Sequence, residues 1–369
     1  MIYFDSAATT FQKPVTVPNA VLRAMQTCAS VGRGGHPAAM AAAETVYNCR
    51  EMAAELFDAE PEQVVFTMNA THGLNTAIHS LLSPGARVVI SGFEHNAVTR
   101  PLHALQAKIH VAGEKLFDAD DTLRAFERAV AERPDAVICT HVSNVFGYVL
   151  PVEKIAALCR KQKIPFILDA SQSAGTLPIS LRQTGARFIA MPGHKGLYGP
   201  QGTGILLCAD GGEPLLYGGT GSNSAEQEMP DFLPDRLEAG THNVCGIAGL
   251  TEGMRFVRKQ TPEAIFRHEQ DLLRQIQEEL DGQRNIRMFA GNGQAGVLSV
   301  CIENADCEEA AQALAQEGAA VRAGLHCAPL AHTSAGTLDL GTVRISFSAF
   351  NTPQEVHRFA GLCKKLFPR

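Results

Sequence analysis

The sequence contains no tryptophan, no Cys-X-X-Cys pair and no block of basic residues. With no basic block and a formal net charge of −6 at pH 7, the chain has little with which to neutralise a phosphate backbone, so we do not expect nucleic-acid binding. No stretch approaches the roughly 18 apolar residues that cross a bilayer, and the first residues lack a basic segment followed by an apolar one. We therefore expect a soluble, cytoplasmic protein with no membrane partner.

The ten cysteines are scattered, and none has a metal-type spacing to histidines. A disulfide framework or a zinc site is therefore not expected, and we assign no metal ligand. Most of the cysteines are expected to be small core residues, because cysteine is among the residue types most often buried.

Length and apolar periodicity predict an α/β protein of two parts. At roughly 100 to 200 residues per domain, 369 residues suggest two domains. Strands and helices alternate from about residue 43 to about residue 210, which predicts a mostly parallel sheet covered by helices on both faces. The elements predicted there are helices 43–57, 74–82, 97–107, 121–133 and 153–163 and strands 63–67, 86–90, 108–112, 136–141 and 165–169.

After about residue 250 the pattern changes to that of a smaller α+β domain. The elements predicted there are helices 262–281, 306–317 and 353–366 and strands 296–303, near 320 and 342–348. Ligands of open α/β sheets bind at the carboxyl ends of the strands, so polar residues that follow strands are the candidate site residues.

Asp169 and Lys195 each follow an apolar strand. Asp169 could cap the next helix, or it could pair with a protonated pyridine nitrogen while Gln172 donates to the ring oxygen. Lys195 stands in a glycine-rich turn, where a lysine is commonly a solvated surface residue. One more crossover, however, would bring Lys195 to the sheet edge that holds Asp169, and a Schiff-base lysine needs that placement.

Two further segments supply candidate groups. Thr71 and His72 precede a predicted helix, whose N-terminus offers free N–H groups to a phosphate, although an ordinary threonine cap is the alternative. Cys327 and Arg344 lie far along the chain, where they could be a buried cysteine and a strand-face cation. If the two domains meet over a cofactor, Arg344 can grip a substrate carboxylate while Cys327 attacks the bound substrate.

Taken together, these motifs resemble the class V aminotransferase-fold enzymes and, within them, the cysteine desulfurases and selenocysteine lyases. The matching segments are Asp5-Ser-Ala-Ala-Thr-Thr10, Asp169-Ala-Ser-Gln172, Gly193-His-Lys195-Gly-Leu-Tyr-Gly-Pro-Gln-Gly-Thr-Gly204, Glu238-Ala-Gly-Thr-His-Asn243 and Arg322-Ala-Gly-Leu-His-Cys327. The resemblance implies a homodimeric pyridoxal 5'-phosphate (PLP) enzyme of fold type I with its cofactor on Lys195. It also implies a large PLP-binding domain over residues 15–250 and a small domain made of residues 1–14 and 251–369.

The resemblance also implies roles for residues that local sequence leaves undecided. His95 is expected to stack on the pyridine ring, whereas local sequence alone also allows an ordinary loop histidine. Asn144 is expected near the ring and the substrate, and Thr241 at the phosphate of the partner subunit's cofactor. Arg33 falls in a segment expected on the substrate side.

One position departs from the family pattern. Pro192 stands where many relatives have a serine or threonine whose hydroxyl contacts the phosphate. Thr71, His72 and His194, or a water molecule, are therefore expected to supply more of that contact.

The reaction implied by the resemblance removes sulfur from L-cysteine, releases L-alanine and leaves a persulfide on Cys327, from which a sulfur-acceptor protein could take the sulfur. The nucleophile must be a thiolate, so a neighbouring cation or helix end should lower the pKa of this thiol. His326 precedes it, but neighbours on a strand point to opposite faces, so we do not expect His326 to be the activating base. The alternatives are a lyase acting on L-selenocysteine, another PLP-dependent lyase or transaminase of a small amino acid, and a non-enzymatic carrier of sulfur or PLP.

Overall fold

The structure is a computed structural model that describes residues 1–32 and 34–368. Its strands are β1 (Ile2–Tyr3), β2 (Val64–Thr67), β3 (Arg87–Ser91), β4 (Lys108–Ala112), β5 (Ala136–Thr140), β6 (Phe166–Asp169), β7 (Phe188–Pro192), β8 (Gly204–Cys208), β9 (Ile286–Phe289), β10 (Val297–Ile302), β11 (Ala319–Ala320), β12 (Arg322–Gly324) and β13 (Thr342–Ser346). Its α-helices are α1 (Thr16–Thr27), α2 (Pro37–Phe57), α3 (Ala70–Leu81), α4 (Asn96–Ala104), α5 (Ala119–Ala131), α6 (Val152–Gln162), α7 (Leu181–Thr184), α8 (Val244–Gln260), α9 (Pro262–Leu280), α10 (Cys307–Gln316), α11 (Pro329–Ala335) and α12 (Pro353–Leu366).

The central layer is a seven-stranded sheet in the order β2-β8-β7-β6-β5-β3-β4. β8 runs antiparallel to both of its neighbours, and the other pairs are parallel. Strands β5, β6 and β7 are buried along their whole length, which is why they are apolar apart from Thr140 and Asp169 at the ends of β5 and β6. Because these three strands are parallel neighbours, their carboxyl ends meet at one edge of the sheet.

The predicted alternation of strands and helices, and with it the α/β fold class, is confirmed. The apolar pattern does not predict α1, α8 or β8, nor the short elements α7, α11, β1 and β9. α8 contains three glycines, a composition that opposes helix formation. Close packing explains at least one of them, because a Cβ at Gly253 would lie 2.2 Å from the carbonyl oxygen of Leu197.

Two helices begin four or more residues earlier than predicted. α2 begins at Pro37 instead of residue 43, because proline suits the first helical position and the alanines that follow favour a helix without adding large apolar side chains to the pattern. α3 begins at Ala70 instead of residue 74, because the side chain of Asn69 caps it by accepting from the His72 N–H at 2.9 Å.

A second, four-stranded antiparallel sheet, in the order β12-β13-β10-β9, forms in the C-terminal part of the chain. Its apolar cluster includes Leu272, Ile345 and Phe359, and the N-terminal Ile2 and Phe4 belong to the same cluster. β1 also pairs in parallel with β11. The N-terminal residues thus pack with the C-terminal part, while the exact domain limits stay a prediction. Among the described helices, none combines the length and apolar character that crossing a membrane requires.

Candidate active site

A cavity opens where β5, β6 and β7 end. Of the residues that line it, seven are predicted site residues: Thr71, His95, Asn144, Asp169, Gln172, His194 and Lys195. The crossover connections of the parallel sheet therefore bring together groups that are up to 124 positions apart in the sequence. No cluster of three or more His, Cys, Asp or Glu side chains suited to a metal ion occurs in residues 1–32 and 34–368.

Asp169 is the last residue of β6 and is buried. Its Oδ1 accepts from the Ser171 N–H at 2.9 Å, within a turn, so its alternative role as the cap of an α-helix is wrong. The Gln172 amide lines the same cavity and donates one N–H to the Ala7 carbonyl at 3.0 Å. A buried carboxylate facing this cavity favours a cationic or N–H-bearing group.

Lys195 follows β7 and faces the same cavity. Burial lowers the pKa of its amine to about 8, and the nearby cation Arg344 lowers it further, whereas the Asp169 carboxylate opposes the shift. A lysine with such a pKa is partly neutral near neutral pH, which is the form that acts as a nucleophile or a base. The alternative of a fully solvated surface lysine is therefore wrong.

The N-terminal segment holds the turn that carries Lys195. The Thr10 hydroxyl and the Lys13 ammonium both donate to the His194 carbonyl, at 3.0 and 2.9 Å. The Thr9 hydroxyl lies 3.0 Å from Nδ1 of His194. Burial lowers the pKa of His194 to about 4, so its ring is neutral at pH 7. Thr9 and Thr10 belong to one of the segments that match the family, but the sequence alone assigns no role to them or to Lys13.

His95 is the N-cap of α4, where its Nδ1 accepts from the Ala97 N–H at 3.0 Å. This bond leaves Nε2 as the protonated nitrogen of the neutral ring, and burial lowers the pKa of His95. Glu94 lies directly before it and is completely buried. The Glu94 carboxyl accepts from the Ser91 hydroxyl and, at 2.7 Å, from the Thr140 N–H. It thereby connects the loop that carries His95 to the end of β5.

The first turn of α3 carries Thr71 and His72, but the two side chains face different spaces. Thr71 lines the cavity with Lys195, whereas His72 and Thr241 line a neighbouring pocket. The helix cap is Asn69, so the alternative that Thr71 is the cap is wrong. Pro192, which stands where the family pattern has a serine or threonine, also lines the cavity and offers it no hydroxyl.

The segment that contains Thr241 is fixed by a buried ion pair. The Glu238 carboxylate accepts from Arg50 Nη1 at 2.8 Å and lies 2.6 Å from Nε2 of His242. Both members of the Arg50–Glu238 pair are buried. Their pairing holds the start of the segment against α2, and Thr241 lines the neighbouring pocket.

Cys327 is exposed on a loop that follows β12, so the alternative of a buried cysteine is wrong. His326 and Cys327 both have left-handed backbone angles, with φ of 49° and 56°. They therefore form a turn and do not alternate along a strand as expected. The loop is bound to the cavity wall, because Asn144 Nδ2 donates to the His326 carbonyl at 2.8 Å and the Asn96 N–H donates to the Cys327 carbonyl at 2.7 Å.

Arg344 is buried in β13 beside this loop. Its Nη1 donates to the Asn144 carbonyl at 2.9 Å, and its Nη2 donates to the Asp5 carboxylate at 2.9 Å. Its Nε–H is buried and has no partner among the described residues. Arg344 thus adjoins the cavity through Asn144 without lining it. The predicted Arg33 lies outside the described residues.

The donor set of the cavity fits pyridoxal phosphate. It offers a lysine amine of lowered pKa, a buried carboxylate, a histidine ring and the N-terminal turn of a helix within one space. The lysine amine matches the aldehyde of that group, and the carboxylate matches its pyridine nitrogen. The histidine ring matches the face of the pyridine ring, and the helix turn matches the phosphate.

Comparison with known proteins is consistent with this donor set. Residues 2–359 match the family model described as aminotransferase class-V. The chain is 31% identical to a probable cysteine desulfurase of Pyrococcus abyssi, in a match that covers 99% of this chain and 94% of that protein. It is also 31% identical to a probable cysteine desulfurase of Mycolicibacterium paratuberculosis, of which it spans 55%. The apo structure of a cysteine desulfurase from Thermococcus onnurineus NA1 is similar, with a TM-score of 0.89 and 29% identity over 99% of this chain and 94% of that chain.

Proposed function

The chain belongs to the aminotransferase class-V family, and from this we propose that it is a PLP-dependent cysteine desulfurase with its cofactor bound to Lys195. The observation that carries the proposal is the joint placement of three groups. Lys195 and Asp169 share one cavity, and Cys327 is exposed on a loop bonded to Asn144 in the wall of that cavity. The names of the relatives support the choice of L-cysteine as the substrate.

PLP, when bound, supplies an electron sink that stabilises negative charge at the substrate Cα. The Asp169 carboxylate would keep the pyridine nitrogen protonated, because a buried anion favours the charged form of a neighbouring base. Thr71 and the free N–H groups at the start of α3 would hold the phosphate, and His95 would cover the ring. Gln172 has a second amide N–H with which to donate to the ring oxygen.

The remaining groups bind the substrate and move its protons. Arg344 would bind the α-carboxylate of L-cysteine beside Asn144, since a guanidinium has five donors and two of those of Arg344 are already bonded. Lys195, once released from the cofactor, would take the Cα proton. Its lowered pKa suits this task, because a general base works best when its pKa lies near the working pH.

Cys327 would receive the sulfur. Its thiolate attacks the substrate sulfur, the carbon–sulfur bond breaks, and the carbon that loses sulfur gains a proton. The balanced change is enzyme thiol plus L-cysteine to enzyme persulfide plus L-alanine. Because Cys327 is exposed, a second protein could approach the persulfide and accept the sulfur.

We further propose a homodimer in which Thr241 reaches the phosphate of the partner subunit's cofactor. Two observations support this arrangement. Thr241 does not line the Lys195 cavity of its own chain, and the buried pair of Arg50 and Glu238 holds its segment in place near the surface.

The proposal is tested by linking the cofactor covalently to its lysine and by identifying the products of the reaction. Borohydride reduction of the purified protein followed by peptide mapping should find the cofactor on Lys195 and not on Lys13, which contacts the same turn. Incubation with L-cysteine and a thiol reductant should give L-alanine and sulfide in equal amounts. A label on another lysine, or products other than L-alanine, would contradict the proposal.

A further inference from the structure

Two arginines of the small sheet are direct neighbours. The register of β12 and β13 places Arg322 opposite Arg344. Residues directly opposite each other in an antiparallel pair leave the same face of the sheet, so the two cations are held close together. Like charges in this arrangement destabilise the pair, and one of these two, Arg344, is also buried.

Asp5 lies between these two arginines. Its carboxylate accepts from Arg344 Nη2 at 2.9 Å and from Arg322 Nε at 3.1 and 3.3 Å. The Asp5 residue is 9% exposed, so solvent screens the contact with Arg344 little. One carboxylate thus compensates a pair of cations that the sheet register forces together.

Backbone bonds fix the position of this carboxylate. Asp5 forms a parallel bridge with Ser346, the last residue of β13. On either side of Asp5, the Phe4 carbonyl accepts from the Ser346 N–H at 2.8 Å and the Ser6 N–H donates to the Ser346 carbonyl at 3.4 Å. Asp5 is therefore held by strand pairing and does not depend on its own side chain for its location.

These contacts leave part of the Arg344 guanidinium free. Asp5 occupies one donor and the Asn144 carbonyl another, while the buried Nε–H has no partner among the described residues. Because a guanidinium is planar, the two occupied donors fix the plane in which the others lie. The remaining donors are thus oriented before any ligand arrives.

We propose that Asp5 is a positioning residue that orients Arg344 for the α-carboxylate of the amino-acid substrate and offsets the charge of Arg322. Asp5 does not itself touch the substrate. The inference rests on the proposed function in one respect, namely that Arg344 binds the carboxylate. It predicts that loss of the Asp5 charge weakens binding of ligands that carry a carboxylate and leaves other amines unaffected.

The test compares two ligands on the holoenzyme. Titration with L-alanine and with ethylamine, followed by the absorbance of the bound cofactor, gives an affinity for an amine with and without a carboxylate. In Asp5→Asn the affinity for L-alanine should fall about tenfold or more, which corresponds to about 1.4 kcal/mol. The affinity for ethylamine should stay within about twofold of the parent value.

A second substitution separates positioning from stability. In the Asp5→Asn background, Arg322→Gln removes the positive charge beside Arg344. It should restore part of the L-alanine affinity, because Arg322 and Arg344 share Asp5 as their partner. Glu279→Gln removes a carboxylate that lies 3.0 Å from Nδ1 of His357 in the same part of the chain and serves as the matched control. It should change neither affinity.

Unchanged L-alanine affinity in Asp5→Asn, or equal losses for both amines, would overturn the proposal. If Asp5→Asn fails to retain the cofactor, Asp5→Glu allows the same comparison, because it keeps the charge but moves the carboxylate by one methylene. The titration does not require desulfuration. A parent enzyme that binds L-alanine but yields none from L-cysteine would therefore contradict the proposed function and leave the inference about Asp5 testable.

Discussion

Replacing Glu94 by glutamine should change the way in which stability depends on pH. One oxygen of the Glu94 carboxyl accepts from the Ser91 hydroxyl and the Thr140 N–H, while the other is buried without a partner in the described chain. Burial raises the pKa of this carboxyl from 4.5 to about 8, against the opposing effect of the two hydrogen bonds. The folded protein therefore holds a proton that the unfolded chain releases above about pH 4.5.

The sign and size of the effect follow from this difference in pKa. Because the folded state binds the extra proton, its stability falls as the pH rises from about 4.5 to about 8. At 1.36 kcal/mol per pH unit, the loss between pH 5 and pH 8 amounts to about 3 to 4 kcal/mol. Glutamine does not titrate, so Glu94→Gln should not suffer this loss.

The assay is urea-induced unfolding of the parent and of Glu94→Gln between pH 5 and pH 8. The amide adds an unpaired N–H that shifts stability equally at every pH, so only the pH-dependent part of the difference is informative. Relative to the parent, the variant should gain about 3 to 4 kcal/mol over this range. Glu127→Gln, at an exposed position, is the control. A difference between Glu94→Gln and the parent that does not vary with pH would refute the reasoning.

Three further predictions concern the site. Asp169→Asn should keep the fold but lose roughly 10²-fold or more in kcat, because an amide cannot retain the pyridinium proton as a carboxylate does; activity within a few-fold of the parent would contradict this role. Arg344→Lys should raise KM for L-cysteine about tenfold or more, because a point charge cannot replace the planar fork, and an unchanged KM would remove Arg344 from the substrate site. Dimers that combine a Thr241→Ala chain with a Lys195→Ala chain should recover about half of the parental activity, because one of their sites carries both changes and the other neither. If each substitution instead impairs only the site of its own chain, the mixed dimer has no unaltered site and recovers less activity. Thr241 then does not act across the dimer.

The sheet and the main cavity could be predicted from the sequence. Strands β5, β6 and β7 are apolar except for Thr140 and Asp169 at the ends of β5 and β6, because both of their faces are covered, and this pattern needs no tertiary information to recognise. Parallel connectivity then places the residues that follow these strands at one edge, which is why Asp169 and Lys195 meet as expected.

The sequence does not predict α8, because tertiary packing shapes this helix. α8 packs on α1 and α2 and carries Gly253 where the backbone of Leu197 approaches closely, so neither propensity nor periodicity identifies it. The sequence also does not predict the left-handed turn at His326 and Cys327, because positive φ is uncommon for any residue other than glycine and cysteine does not favour it.

The supporting residues of the site were missed for a different reason. Asp5 contacts Arg344 across 339 positions of sequence, and Thr10 contacts the His194 carbonyl across 184. No local pattern encodes such pairs. The motif that begins at Asp5 was visible in the sequence, but its function follows only from the pairing of the N-terminal residues with the small sheet.

The most direct test of the proposed chemistry is to locate the sulfur after a brief exposure to L-cysteine. Mass spectrometry of the parent should find one added sulfur on the peptide that contains Cys327 and none on the peptides of the other nine cysteines. Cys327→Ala should keep the absorbance of the bound cofactor but form no L-alanine from L-cysteine. If this variant still forms L-alanine at the parental rate, or if the added sulfur lies on another cysteine, the proposed role of Cys327 is wrong.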